Sequence, residues 1–304
     1  MVSTIGTLRA LDLATGKEVW STPGALPNVC GGDKTGNNAP IFVGKTVVTG
    51  NHQSDLLGFD AATGKKLWSL PGKSFWAQVP AIWRSGGREY VVSLSAAGAT
   101  DEKKRPTYTV LCVEPQTGTV LWEAPVAAAV TEGVSVHGDV LYLIANGTGL
   151  IDKENPDGIT QAWKLSKEGM TPLWQTATPW ADDDCPPAVD GKVVLVSGPQ
   201  RSALLDAATG KELATYVGKG PHNEGHTTLV EDLVLLHIDG SHGNNDFVAL
   251  SRDPASFAKP LGWGLAHPGT TTYHEKPMTH PVVEGRLFMR GHDGVYCYDL
   301  RTKP

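Results

Sequence analysis

LRALDLATGKEVW (residues 8–20) returns as LLGFDAATGKKLW (56–68), TVLCVEPQTGTVLW (109–122) and SALLDAATGKELA (202–214). Looser copies keep the frame: QAWKLSKEGMTPLW (161–174), FVALSRDPAS (247–256) and VYCYDLRTKP (295–304). The acidic or small polar residue that closes each apolar run stands at Asp12, Asp60, Glu114, Ser166, Asp206, Ser251 and Asp299. Successive markers lie 48, 54, 52, 40, 45 and 48 residues apart, a mean of about 48. A period of this size marks a repeat architecture built from supersecondary units. A second phrase precedes every copy after the first: an apolar pair, a tight turn and another apolar run. PAVDGKVVLVSG (187–198), TLVEDLVLLHIDG (228–240) and PVVEGRLFMRG (281–291) are examples.

Each unit therefore reads as four short strands. The A-T-G-K between strands three and four places glycine where a hairpin turn needs positive φ. Seven third strands are present but only six first-plus-second pairs; residues 2–6 read as the tail of a second strand, and the last unit stops after its third. The expected fold is all-β, a propeller of four-stranded blades in one domain over residues 1–304. Seven blades with incomplete terminal ones is the expectation, with six as the alternative.

Composition narrows the function classes. The 304 residues carry 26 Lys+Arg against 32 Asp+Glu, a net charge of 26 − 32 = −6, which lacks the basic footprint of a nucleic-acid binder. No apolar run approaches the ~18 residues of a membrane span. The first twenty residues show neither a basic n-region nor an apolar h-region, so the chain reads as cytosolic or as starting beyond a targeting segment. Cys30, Cys112, Cys185 and Cys297 lie too far apart for a CxxC motif. Cys112 and Cys297 share one repeat position with Ala10, Gly58 and Leu204, so both are expected to be small buried fillers.

The run from Ala10 to Trp20, with Asp12, Thr15, Gly16, Lys17 and Trp20 in an AxDxxTGKxxW pattern, resembles the repeat of pyrroloquinoline-quinone-type propellers. That family includes quinoprotein alcohol dehydrogenases and the propeller lipoprotein of the outer-membrane barrel-assembly machinery. The resemblance covers nearly the whole chain and implies a periplasmic or secreted location. It also implies that Trp20, Trp68, Trp122 and Trp174 wedge between blades. Quinone-binding relatives hold their cofactor under an adjacent-cysteine disulfide beside calcium. This sequence has no Cys-Cys pair and is far shorter, so pyrroloquinoline quinone is not expected.

Propeller topology sorts the loops onto two faces. The 1–2 and 3–4 turns share one; the 2–3 loops and the connections between blades share the other, where long irregular segments place function. Seven of the ten histidines fall on that second face: His52, His222, His226, His242, His274, His280 and His292. The residues just before each first strand are expected to ring the channel mouth: Asn38, Gln78, Glu132, Asp184 with Cys185, His226, and Thr279 or His280. Imidazoles and carboxylates converging there suit a divalent metal such as zinc, manganese or calcium, with His222, His226, His280 and His292 as ligands. Without a metal the set suits acid–base chemistry by His226, His280, Glu132 and Asp184. Trp76, Trp180 and Tyr273, with Asn38, Gln78 and His274, are candidates for holding a small polar or saccharide ligand. Two functions stand: a pocket that binds such a ligand, with hydrolysis or elimination as its chemistry, and a non-catalytic scaffold whose loops contact protein partners. A mouth that only holds water, and tryptophans that only cap blade ends, are the bland alternatives.

Overall fold

The computed structural model describes residues 2–301, apart from 5–6, 13, 26–39, 51–54, 75–78, 101–105, 127–133, 146–157, 182–185, 199–200, 219–226, 241–243, 264–281 and 292–293. Every regular element among these is a strand, and the strands form seven antiparallel sheets in chain order. The sheets span residues 2–23, 41–70, 81–126, 135–177, 188–217, 227–263 and 282–299. The five middle sheets have four strands in simple up-and-down order, and the first and last have three each. All seven expected third strands are present, and Val2–Thr4 pairs as a second strand with Thr7–Leu11. The sheets follow one another as the blades of a β-propeller.

Burial explains why short apolar runs suffice. Thr46–Gly50 and Val193–Ser197, both second strands, are buried at every position, because a sheet on each side covers both of their faces. Six apolar clusters join the seven sheets pairwise. Leu8 and Trp20 meet Val47 and Phe59; Val43 and Trp68 meet Val91 and Leu111; Leu94, Val110 and Cys112 meet Leu141 and Leu143. The series continues through Tyr142 with Val194, Leu204 with Val248, and Leu235 with Leu287.

The repeated turn is held by its own side chains. Asp12 accepts hydrogen bonds from the backbone N–H of Thr15 (2.8 Å) and its hydroxyl (2.6 Å), and Gly16 turns the chain at φ 69°. The same arrangement recurs at Asp60 with Thr63, Glu114 with Thr117 and Asp206 with Thr209. The threonine hydroxyl is the main reason that Asp12, Asp60 and Asp206 titrate below the ordinary carboxylate range. A carboxyl with a depressed folded-state pKa stabilises the fold above its unfolded pKa of about 3.9, and loses that contribution as pH falls through the folded value. Thermal midpoints should therefore decline below about pH 4, and Thr63→Ala should flatten that decline.

The fourth-strand tryptophans of the first four sheets reach forward to the next sheet. The indole N–H groups of Trp20, Trp68, Trp122 and Trp174 donate to the carbonyls of Ala61 (3.0 Å), Pro115 (2.8 Å), Ser166 (2.9 Å) and Ala207 (3.0 Å). Within its own sheet each ring lies opposite a small third-strand residue: Ala10, Gly58, Cys112 or Ala162. The fifth sheet exchanges the sizes, setting Leu204 opposite Ala214.

Cys112 is buried as expected, and burial pushes its thiol up to about 12. The expectation for Cys297 fails: it is exposed. It sits on Gly294–Asp299, the outermost of three described strands, and no fourth strand among the described residues lies over it as Trp122 lies over Cys112. A maleimide pulse read by peptide mass mapping should label Cys297 in the folded protein and Cys112 only after denaturation.

Candidate functional site

On the face of the 1–2 and 3–4 turns, carboxylates tie one sheet to the next. Glu89 of the third sheet accepts the backbone N–H of Gly44 in the second sheet's turn (2.7 Å) and Arg84 Nε (2.9 Å). Asp139 in the fourth sheet's turn accepts the indole N–H of Trp83 from the third sheet (3.0 Å) and pairs with Lys164 (3.3 Å). The Trp83 N–H, aided by Lys164, holds the Asp139 carboxyl below its usual range. Asp190 in the fifth sheet's turn pairs with Arg252 of the sixth at 2.6 Å. Partial burial works against its charge, but the N–H groups of Val193 and Lys192 together with Arg252 outweigh that, and its pKa is lowered. His137 of the fourth sheet lies over Gly191, where a Cβ would come within 2.4 Å of its Nε2. Spacing gave no sign of these links, because their partners stand some fifty residues apart in unrelated phrases.

The opposite face carries the 2–3 loops and the connections. Trp180, in the connection from the fourth to the fifth sheet, is half-buried and packs against the cluster that joins those sheets. The Arg201 guanidinium carbon lies 4.7 Å from its ring centroid, a cation–π contact. Arg201 Nη2 is held in turn by both carboxylate oxygens of Glu212, at 2.7 and 3.0 Å. A Cβ at Gly198 would stand 1.9 Å from the Trp180 carbonyl oxygen, so only glycine lets this loop and this connection approach. Lys73, in the connection leaving the second sheet, pairs with Glu123 of the third at 2.7 Å.

Of the residues expected to form a site, Trp180 is the one within the described residues. Asn38, Trp76, Gln78, Glu132, Asp184, His222, His226, Tyr273, His274, His280 and His292 lie outside them. Among the described residues no three His, Cys, Asp or Glu side chains gather as a metal-binding set. Cys112 is buried opposite Trp122 in the third sheet, and Cys297 is exposed in the seventh.

The family model of the outer membrane protein assembly factor BamB matches residues 1–75 and 81–303. BamB from Moraxella catarrhalis superposes with a TM-score of 0.64 at 14% identity, covering 96% of this chain and 78% of that one. A europium-containing methanol dehydrogenase superposes with a TM-score of 0.65 at 12% identity, over 97% of this chain and 73% of its own. The quinohemoprotein alcohol dehydrogenase from Comamonas testosteroni does so with 0.65 at 13% identity, over 97% and 62%. Curated protein sequences yield no match. At such identities the structural likenesses speak for the fold, which carries unrelated functions on different loops.

Proposed function

Because the chain belongs to the family of the outer membrane protein assembly factor BamB, we propose that it is a non-catalytic propeller scaffold, working outside the cytoplasm and binding protein partners. The family match over almost the whole chain carries this reading. The face of the 2–3 loops and connections is assigned to the partner. Loop length supports that choice: the 2–3 loops and connections are the long, irregular segments of the sequence, whereas the turn face carries short repeated turns. No helix among the described residues is long and apolar enough to cross a membrane.

Site-specific photo-crosslinking tests the assignment. A crosslinker at Pro71, where the connection leaves the second sheet, is expected to capture one defined envelope protein. At Lys65, exposed in the 3–4 turn at the other end of the same sheet, it is expected to capture none. Equal capture from both positions, or none from either, overturns the face assignment. A thermal shift with zinc, manganese, calcium or sugars that vanishes in His226→Ala/His280→Ala would replace the scaffold with the ligand pocket.

A further inference from the structure

The outermost strands of the first six sheets share a feature that the repeat phrase hides. In each, the residue before the tryptophan position is the extra residue of a β-bulge. The register passes from Ala10↔Trp20 to Leu11↔Glu18, skipping Val19. In the same way Leu67, Leu121, Leu173, Leu213 and Leu261 are skipped. All six skipped residues are aliphatic, and all are exposed, between 40% and 61%. Packing against the core does not explain an apolar residue kept at one exposed position in six sheets.

What acts at the rim is the backbone of the bulge itself. An outermost strand leaves a row of N–H and C=O groups unpaired, which templates the addition of another strand. A bulge breaks the even spacing of that row and increases the local twist, so an incoming straight strand cannot follow it. Proline, which offers no N–H, adds to this in four of the six: Pro23, Pro125, Pro172 and Pro260. The two outermost strands without proline are Lys66–Leu70 and Glu212–Val217. There the bulge stands with only flanking charge, from Lys65 and Lys66 or from Lys211 and Glu212. By contrast Gly294–Asp299, outermost among the described strands of the seventh sheet, pairs without a register shift and holds no proline.

We propose that the six bulges close the outer rim to strand addition, so that a second copy of this chain cannot pair with it edge to edge. The inference does not depend on the scaffold reading, since it concerns the backbone of the rim and not the loop face. Because the backbone does the blocking, the apolar side chain at the bulge is tolerated rather than required.

Deleting the skipped residue separates the two. Loss of Leu213 leaves Leu204↔Ala214 and Leu205↔Glu212 as direct pairs, and the fifth sheet has no tryptophan there to disturb. Loss of Leu67 is the second variant, and Leu67→Ser and Leu213→Ser keep the bulges while removing the apolar groups. In sedimentation at rising protein concentration, each deletion is expected to raise the weight-average mass at least about twofold over the parent. The serine variants are expected to sediment as the parent does, which also keeps any pairing through Gly294–Asp299 common to all samples. Deletion variants with native β-structure that sediment like the parent overturn the proposal. So does association of the serine variants. Failure of both deletions to fold overturns it as well, by assigning the bulge to blade packing.

Discussion

Trp68→Ala is expected to lower the free energy of unfolding by about 3–5 kcal/mol, read from the denaturant midpoint at constant slope. The ring is buried at the junction of the second and third sheets, in one cluster with Val43, Leu56 and Leu111. It fills the space left by Gly58 in its own sheet and lies on Gly118 of the next, where a Cβ would stand 2.6 Å from Cγ. Two glycines have given up side chains for this ring, so the surroundings have little with which to collapse into the cavity. Trp68→Phe divides the effect. It keeps most of the apolar contact but leaves the Pro115 carbonyl without its donor, which costs about 1–3 kcal/mol. A phenylalanine variant as unstable as the alanine variant would make the hydrogen bond, and not the packing, the dominant contribution.

Gly64→Ala is expected to cost about 2–4 kcal/mol by two additive routes. At φ 72° any side chain in this turn meets left-handed backbone strain. The new Cβ would also lie 2.4 Å from Trp20 Cε3, a ring already fixed by its bond to Ala61. A double-mutant cycle with Trp20→Ala tests the second route. Removing the ring should relieve the clash, so the pair should cost clearly less than the sum of the single changes. Full additivity would leave backbone strain as the sole cause.

The fold was legible because the information repeats. Period-two apolar runs, the glycine turn and a tryptophan at one offset each recur, and repetition turns weak local signals into a topology. What was missed does not repeat. Cys297 occupies the same frame as Cys112, but its exposure depends on the absence of a fourth described strand, which no local pattern records. The exchange of Leu204 and Ala214 conserves volume across two strands and so disappears when either strand is read alone. Asp139 meets Trp83, 56 positions earlier in the chain, with no periodic signature to announce the pair. His226, His280, Glu132 and Asp184 are read from the position just before each first strand, and all four lie outside the described residues. Trp180 shows why the choice was hard. A loop tryptophan reads equally as a ligand platform or a cap, and only the structure brings Arg201 over its ring.

The forward direction of the tryptophan bonds has a consequence for how the protein is made. Trp20, Trp68, Trp122 and Trp174 find their carbonyl partners 41, 47, 44 and 33 residues further along the chain. At a synthesis rate of about 5–20 residues per second, the partner emerges roughly 2–9 s after the tryptophan itself. Ala61 precedes Trp68, Pro115 precedes Trp122 and Ser166 precedes Trp174. A nascent chain therefore never has more than one of these four indoles whose acceptor has yet to be made.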